Sequence, residues 1–286
     1  MSKASYQDPV PLNASEYSLP QSWSDQFCLK NPWHIIRVLK SIFETKRNRV
    51  ILPDDLMGKE IIPKYAQQEF HNLPNGNYSN ILANGYVRGF DVVMLGEMKK
   101  IRHYAARKLC FAKSVLDLGT GGGAMAASVY KEGVEDVWGV DVSPYLLQAA
   151  IKRHPDVSFV HAKAESLPFD NGRFDALSSC YLLHEVPPKY IYQILDEIKR
   201  VLKPDGECVF IEPSKLHYQV GLFEALRKYG FKGLYFRWLS HFVYEPFVKS
   251  WHKLDFKTLL LSRGFEVIEE MIGVPNTLWH ARKVKE

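Results

Sequence analysis

The chain is poor in cysteine. Cys28, Cys110, Cys180 and Cys208 are the 4 in 286 residues, and they form no CxxC pair and no Cys/His zinc spacing. That excludes a disulfide framework and a structural zinc site as organising features, and it points to a reducing, cytoplasmic setting. No uncharged run approaches the roughly 20 residues that cross a bilayer. The polar, proline-bearing start, MSKASYQDPVPLNASEYSLP, has no apolar core of the kind a signal peptide needs. A large charge of one sign is missing too: 37 Lys and Arg stand against 32 Asp and Glu, a net +5, with both signs interspersed. Such a balance gives weak attraction to anions and does not diagnose nucleic-acid binding; nucleic acid is not the expected partner. Repeats and low-complexity segments are absent, and the 46% of hydrophobic residues can build a full core.

What is present falls into two parts, residues 1–90 as an arm and helical cap and residues 91–286 as the main domain. Pro9, Pro11 and Pro20 make residues 1 to about 30 an irregular arm that is ordered only by packing on something else. A helix is expected from Asn31 as cap and Pro32 in the first turn, with Trp33, Ile36, Leu39, Ile42 and Phe43 at helical spacing. EFHNLPNGNYSNILANGYVRGFD carries Gly76, Gly85 and Gly89 among aromatics and reads as turns and short helical pieces. DVVMLGEMKKIRHYAARKLC then reads as an amphipathic helix. Met94, Met98, Ile101, Ala105 and Leu109 would face inward, and Lys99, Lys100, Arg102, His103, Arg107 and Lys108 would face solvent.

Beyond residue 114, apolar strands alternate with helical patterns: SVLDLG, VWGVDV, VSFVHA, FDALSSC and GECVFIE, followed by FEVIEEMI and NTLWHARKV. This alternation predicts an α/β, Rossmann-like, doubly wound and mostly parallel seven-stranded sheet. An N-terminal helical extension precedes it, and an aromatic-rich helical insertion, about residues 214–252, follows the fifth strand.

SVLDLGTGGGAMA is the chemically informative stretch. Gly119, Gly121 and Gly123 clear side chains from a turn that leads into a helix N-terminus, where a ligand can approach the backbone. GTGGGA also satisfies the GxGxxA dinucleotide pattern, with Asp141 at the end of the second strand placed to bond ribose hydroxyls. By itself the loop is ambiguous between cofactors. Asp117 tips the balance: near a pyrophosphate it would meet like charge, at about 1 to 4 kcal/mol for a ~4 Å separation, whereas near a methionine moiety it meets an ammonium group. The plainer role for Asp117 is bonding the amides of the turn.

At this point the sequence resembles the class I S-adenosylmethionine-dependent methyltransferases, on four motifs in order. They are VLDLGTGGGAMA, VWGVDVSPYLLQAA, AKAESLPFDNGRFDALSSCYLLHEV and EIKRVLKPDGECVFIEP, and the similarity spans about residues 91 to 286. The pattern is nearest to the small-molecule and lipid methyltransferases that include the ubiquinone/menaquinone C-methyltransferases. The resemblance implies S-adenosylmethionine as cofactor, with Val142 beside the ribose and backbone near Ala164 and Glu165 at the adenine. Many relatives carry an acidic residue before that alanine; Lys163 stands there in this chain and has no lone pair to accept from the adenine amino group.

Methyl transfer is an in-line displacement governed by alignment, with a proton acceptor needed where the nucleophile is protonated. CYLLHEV follows the fourth strand and offers His184 as candidate general base, with Glu185 to orient it or to bind a substrate cation. His184 as a pocket-shaping, backbone-bonded histidine is the other reading. Tyr78, Tyr86, Arg88 and Tyr181 are candidates to close over cofactor and acceptor. The Asn/Asp-Pro-Pro-aromatic motif of base N-methyltransferases is missing, and the dispersed cysteines argue against thiol-based metalloid methylation. The insertion gathers Tyr218, Phe223, Phe231, Phe236, Trp238 and Trp251, among others. It would wall an apolar pocket or, with Lys228, Lys232, Arg237 and Lys249, contact a membrane surface. The expected acceptor is therefore a small-molecule or lipid-like compound, with no obligate protein partner. A nicotinamide-dependent oxidoreductase and a non-catalytic S-adenosylmethionine-binding module are the alternatives.

Overall fold

The computed structural model describes residues 7–13, 17–26, 31–43 and 48–285; Cys28 lies outside them. Seven strands form one sheet: β1 (Ser114–Leu118), β2 (Asp136–Asp141), β3 (Ser158–His161), β4 (Phe174–Cys180), β5 (Leu202–Pro213), β6 (Phe265–Ile272) and β7 (Asn276–Lys283). Their order is β3-β2-β1-β4-β5-β7-β6. The first five run parallel, and β7 lies antiparallel between β5 and β6. Strand order reverses between β1 and β4, which opens a crevice at their carboxyl ends, the usual ligand position in such sheets.

Two helices precede those that flank the sheet, α1 (Pro32–Phe43) and α2 (Asn80–Val93). Helices α3 (Glu97–Leu109), α4 (Ala124–Lys131) and α5 (Pro144–Arg153) cover one face, and α6 (Pro188–Val201) covers the other. The insertion contributes α7 (Leu216–Gln219), α8 (Leu222–Phe242) and α9 (Val248–Trp251), before α10 (Phe256–Ser262) joins α6. Period-two alternation decides which face each strand residue serves. Leu116 and Leu118 pack with Ile191, Ile194, Leu195, Ile198 and Leu260, whereas Val115 packs with Met98, Leu109, Met125, Val129 and Leu147. A third cluster joins the N-terminal extension to α5 through Leu56, Ile62, Tyr78, Ala83, Tyr145 and Leu146.

The segment expected to be turns and short helical pieces contains α2, a 14-residue helix. Its start is fixed twice. The Ser79 hydroxyl accepts from Leu82 N at 3.2 Å, and Asp25 from the arm accepts from Ile81 N at 2.9 Å and from the Ser79 hydroxyl at 2.7 Å. Caps of this kind offset the roughly 1 kcal/mol that each of Gly85 and Gly89 costs a helix interior. The expected single helix after residue 91 is broken at Leu95 and Gly96, both in left-handed conformation at φ 51° and 74°. A boundary between residues 90 and 91 consequently falls inside α2.

Arg102 is also not where the helical pattern puts it. Its side chain is buried and carries a 2.6 Å ion pair to Asp91. The arm packs on the domain: Leu12 N bonds Phe159 O at 2.8 Å, Asp8 pairs with Arg173, and Tyr145 and Gln148 bond the carbonyls of Pro20 and Tyr17. Its residues 1–6, 14–16 and 27–30 are outside the described set.

Candidate active site

The turn after β1 lies at the mouth of the crevice. Gly119 and Gly121 adopt φ of 68° and 52°, in the left-handed region. At Gly119 a Cβ would come within 2.8 Å of Leu182; at Gly121 it would meet nothing within 4 Å, because that glycine faces open space. The space belongs to a trough of about 150 Å³ lined by Asp117, Gly119, Thr120, Gly121, Asp141, Val142, Tyr181 and Glu185, among others. A narrower slot continues from it past Val142, Ala162, Ala164 and Leu182, roofed by Tyr65, Ala66 and Phe70.

Two carboxylates anchor the turn. Asp141 accepts from Gly121 N through Oδ2 and from Ser143 N through Oδ1, both at 2.8 Å. Each oxygen keeps a lone pair for a ligand. Asp117 accepts from the Thr120 hydroxyl at 2.6 Å, the Ser178 hydroxyl at 2.7 Å and Ala126 N at 3.2 Å. Burial pushes both acids up, to about 6, against the opposing pull of these hydrogen bonds. Arg102 lines the trough beside Asp91, and its Nε is buried without a hydrogen-bond partner.

A second cavity, about 310 Å³, adjoins the trough and shares Tyr86, Phe90 and Tyr181 with it. Its wall is mostly apolar, with Leu73, Val93, Met94, Phe236, Leu239 and Val243. The polar exceptions include His71, His217 and Glu245. Burial drives His217 down to about 3, so it is neutral at physiological pH. Arg237, expected to face lipid, instead donates to the carbonyls of His217, Tyr218 and Val220 and holds α7 against the cavity.

Residues 115–206 match the model of the family described as methyltransferase domain. A demethylmenaquinone methyltransferase of Chlorobaculum tepidum is 37% identical over 35% of this chain and 40% of its own length. An uncharacterized methyltransferase of Synechocystis sp. is 38% identical over 40% of this chain and 57% of its own. The chain thus spans about half the length of these relatives. Residues 115–206 are therefore a methyltransferase domain, within a sheet that has the class I S-adenosylmethionine-dependent methyltransferase fold. Its fold is also that of human N-acetylserotonin methyltransferase solved with S-adenosylmethionine, at a TM-score of 0.53, 19% identity, and coverage of 72% of this chain and 57% of that one.

The residues of this methyltransferase domain fit the class's cofactor, S-adenosylmethionine. Gly121 leaves room, Asp141 keeps acceptor capacity, and the unpaired Nε of Arg102 is a buried cationic donor for a carboxylate. Of the residues singled out in the sequence, Asp117, Gly119, Gly121, Asp141, Val142, Tyr78, Tyr86, Tyr181 and Glu185 converge on the trough, and Ala164 lines the slot. Gly123 stands at the N-cap of α4, where a Cβ would meet Phe159 at 2.9 Å, so it serves helix packing. Glu165 does not line the slot; its Oε1 accepts from the Tyr65 hydroxyl at 2.6 Å, while Oε2 is buried and unpaired. Arg88 is exposed on α2 and lines neither cavity.

Of the two readings of His184, its geometry suits the structural one. Its ring is fully buried and lines neither cavity, with Nδ1 2.6 Å from Glu212 and Nε2 3.5 Å from Glu245. Despite desolvation, those carboxylates push its pKa well above the ordinary value, and with Nδ1 committed to Glu212 and the ring sealed from both cavities it has no path to an acceptor. Glu185 does not orient it. The Glu185 carboxylate turns instead to His71, at 3.0 Å. Sequence reasoning missed His71, Glu212 and Glu245 and placed Arg102 in solvent; of these only Glu212, a carboxylate in the apolar run CVFIEP, carried a local signal of burial.

Proposed function

We propose that this chain transfers the methyl group of S-adenosylmethionine to a small, apolar or amphipathic acceptor seated in the second cavity. The observation that supports it most is the shared wall: Tyr86, Phe90 and Tyr181 bound both the trough and the apolar cavity, so ligands in the two spaces would meet there. In this reading Asp141 holds the ribose hydroxyls, Arg102 the methionine carboxylate, and Asp117 sets the turn and its negative potential. Val142, Ala164 and Leu182 flank the adenine, with backbone near Glu165 in place of the acidic residue that Lys163 replaces. Bound there, the cofactor supplies an electrophilic methyl; the chain aligns the acceptor and excludes water with its aromatic wall.

A lipophilic ring acceptor agrees with relatives named demethylmenaquinone methyltransferase. The nicotinamide alternative is disfavoured by those names and by Asp117, which would face a pyrophosphate with like charge. Calorimetric titration with S-adenosylmethionine, S-adenosylhomocysteine and NAD tests the cofactor, and a metabolite screen for a one-methyl mass gain tests the reaction. Binding of NAD with no response to either sulfur compound would end the proposal. Affinity for the cofactor with no mass gain across a broad lipophilic panel would favour a binding module.

A further inference from the structure

We propose that His71, braced by Glu185, takes the proton released by the methyl acceptor. The acceptor would then combine a ring-sized apolar body with a weakly acidic O–H or C–H at its reacting end. This rests on the second cavity being the acceptor site.

The pair sits on the border between the two spaces. Glu185 lines the trough and the slot, His71 lines the apolar cavity, and His71 Nε2 is 3.0 Å from Glu185 Oε1. With Nε2 committed, Nδ1 is the ring's remaining nitrogen, and it is buried with no hydrogen-bond partner. A base oriented by a carboxylate through one nitrogen and free at the other is the arrangement that general-base catalysis needs. The ring is held in place. It stacks on Tyr86 at 5.1 Å and 16°, its backbone N bonds Tyr244 O, and the Asn72 side chain bonds Phe242 O and Tyr244 N. His71 itself is at φ 57°, a left-handed conformation uncommon for a residue with a side chain and often found at functional sites.

The charged and titratable neighbours come from three directions: Glu185 and His184 after β4, Glu245 after α8, and Tyr86 on α2. Burial and His184 oppose protonation of His71, while Glu185 and Glu245 favour it; the net effect raises its basicity above the ordinary value. In the transfer, the acceptor's electron pair forms the bond to the methyl carbon and the sulfur–carbon bond breaks with its electrons going to sulfur. The acceptor's proton passes to Nδ1, and the resulting imidazolium lies against the two carboxylates. The apolar remainder of the cavity selects the acceptor's body, and neutral His217 adds no charge to repel it.

The probe is para-nitrophenol, whose ionised form absorbs visible light, bound to the full chain in the presence of S-adenosylhomocysteine. In the wild type the bound phenol should ionise at least about one pH unit lower than in His71→Asn, because it loses a proton partner there. Asn tolerates the left-handed backbone, which guards the fold. Glu185→Gln should shift the midpoint the same way by less, and should lower the His71 titration seen by imidazole NMR. Equal midpoints in the three proteins, or no phenol binding while S-adenosylhomocysteine binds normally, would overturn the inference alone. Failure of S-adenosylhomocysteine to bind would overturn the methyl-transfer reading and this inference with it.

Discussion

The trough and the apolar cavity share a wall but are built differently. In the trough, the two principal carboxylates are already engaged with the chain's own amides and hydroxyls: Asp141 with Gly121 and Ser143, Asp117 with Thr120, Ser178 and Ala126. In the cavity, the polar atoms are few and some are left without a hydrogen-bond partner, among them His71 Nδ1 and His217 Nδ1. A buried polar atom without a partner is held at a cost of about 1 to 3 kcal/mol, so it persists where a ligand supplies the bond. Under the proposed function, the trough's carboxylates are set in place before the cofactor arrives, and the cavity keeps hydrogen-bonding capacity open for an acceptor.

Breaking the pillar common to both regions should have the largest effect. Glu212, at the end of β5, is fully buried and accepts from Leu183 N at 2.8 Å and from Leu182 N at 3.2 Å, beside the 2.6 Å pair with His184. Removing it in Glu212→Ala strands a buried imidazolium next to the loop that carries Tyr181 and Glu185. Urea unfolding should show a loss of about 3 to 5 kcal/mol. A loss under ~1 kcal/mol would mean that His184 is not held as a cation.

The next largest effect separates the regions. Asp141→Ala should weaken S-adenosylmethionine binding by about 1 to 3 kcal/mol, roughly five- to 150-fold, through lost charge-assisted hydrogen bonds. Occupancy of the apolar cavity, followed with para-nitrophenol, should change far less. Equal losses at both sites would mean that the two spaces are one binding unit.

The difference between the regions also explains what could be read in advance. The trough is local in sequence: strand, glycine turn, helix and an acid at the end of the next strand are set by period and by turn chemistry, so the mostly parallel seven-stranded sheet, and Asp117, Gly119, Gly121 and Asp141 as candidates at its mouth, could be read from the residues. The cavity is assembled from distant pieces. His71 precedes the domain, Tyr86 lies on a helix whose glycines disguised it, and Glu245 follows α8. His184 stayed open between two roles because its partner, Glu212, lies 28 residues away on another strand, and no spacing rule announces that pairing. Arg102 was assigned to solvent because helical periodicity ranks residues by type; a buried Arg is stable only with its carboxylate partner, here Asp91 on the preceding helix.

A gentler change sharpens the contrast. Gly85 and Gly89 line the apolar cavity from α2, and at each a Cβ would have no neighbour within 4 Å. Gly89→Leu should fill the space and weaken phenol binding by about tenfold, with cofactor affinity unchanged. Gly89→Ala should leave most of the volume and raise stability by up to ~1 kcal/mol, since alanine is the better helix former. Wild-type phenol binding in Gly89→Leu would place the acceptor elsewhere.

The smallest effect is a pH dependence confined to the trough. Asp117 and Asp141 are both raised to about 6 by burial in the free protein. A group whose folded-state pKa is raised stabilises the fold fully below its unfolded value, and that contribution is lost as pH rises through the folded one. Between about pH 4 and 6, then, these two acids make the free protein less stable as pH climbs. S-adenosylmethionine opposes this, because its hydroxyls and ammonium group prefer the ionised carboxylates and bind the deprotonated form. The increase in Tm produced by saturating cofactor should therefore shrink as pH falls through about 6, and Asp141→Asn should flatten the dependence. A cofactor-induced shift that is constant across this window would mean that neither acid changes its protonation on binding, and the trough would then be a cradle of backbone groups with the carboxylates only holding it in shape.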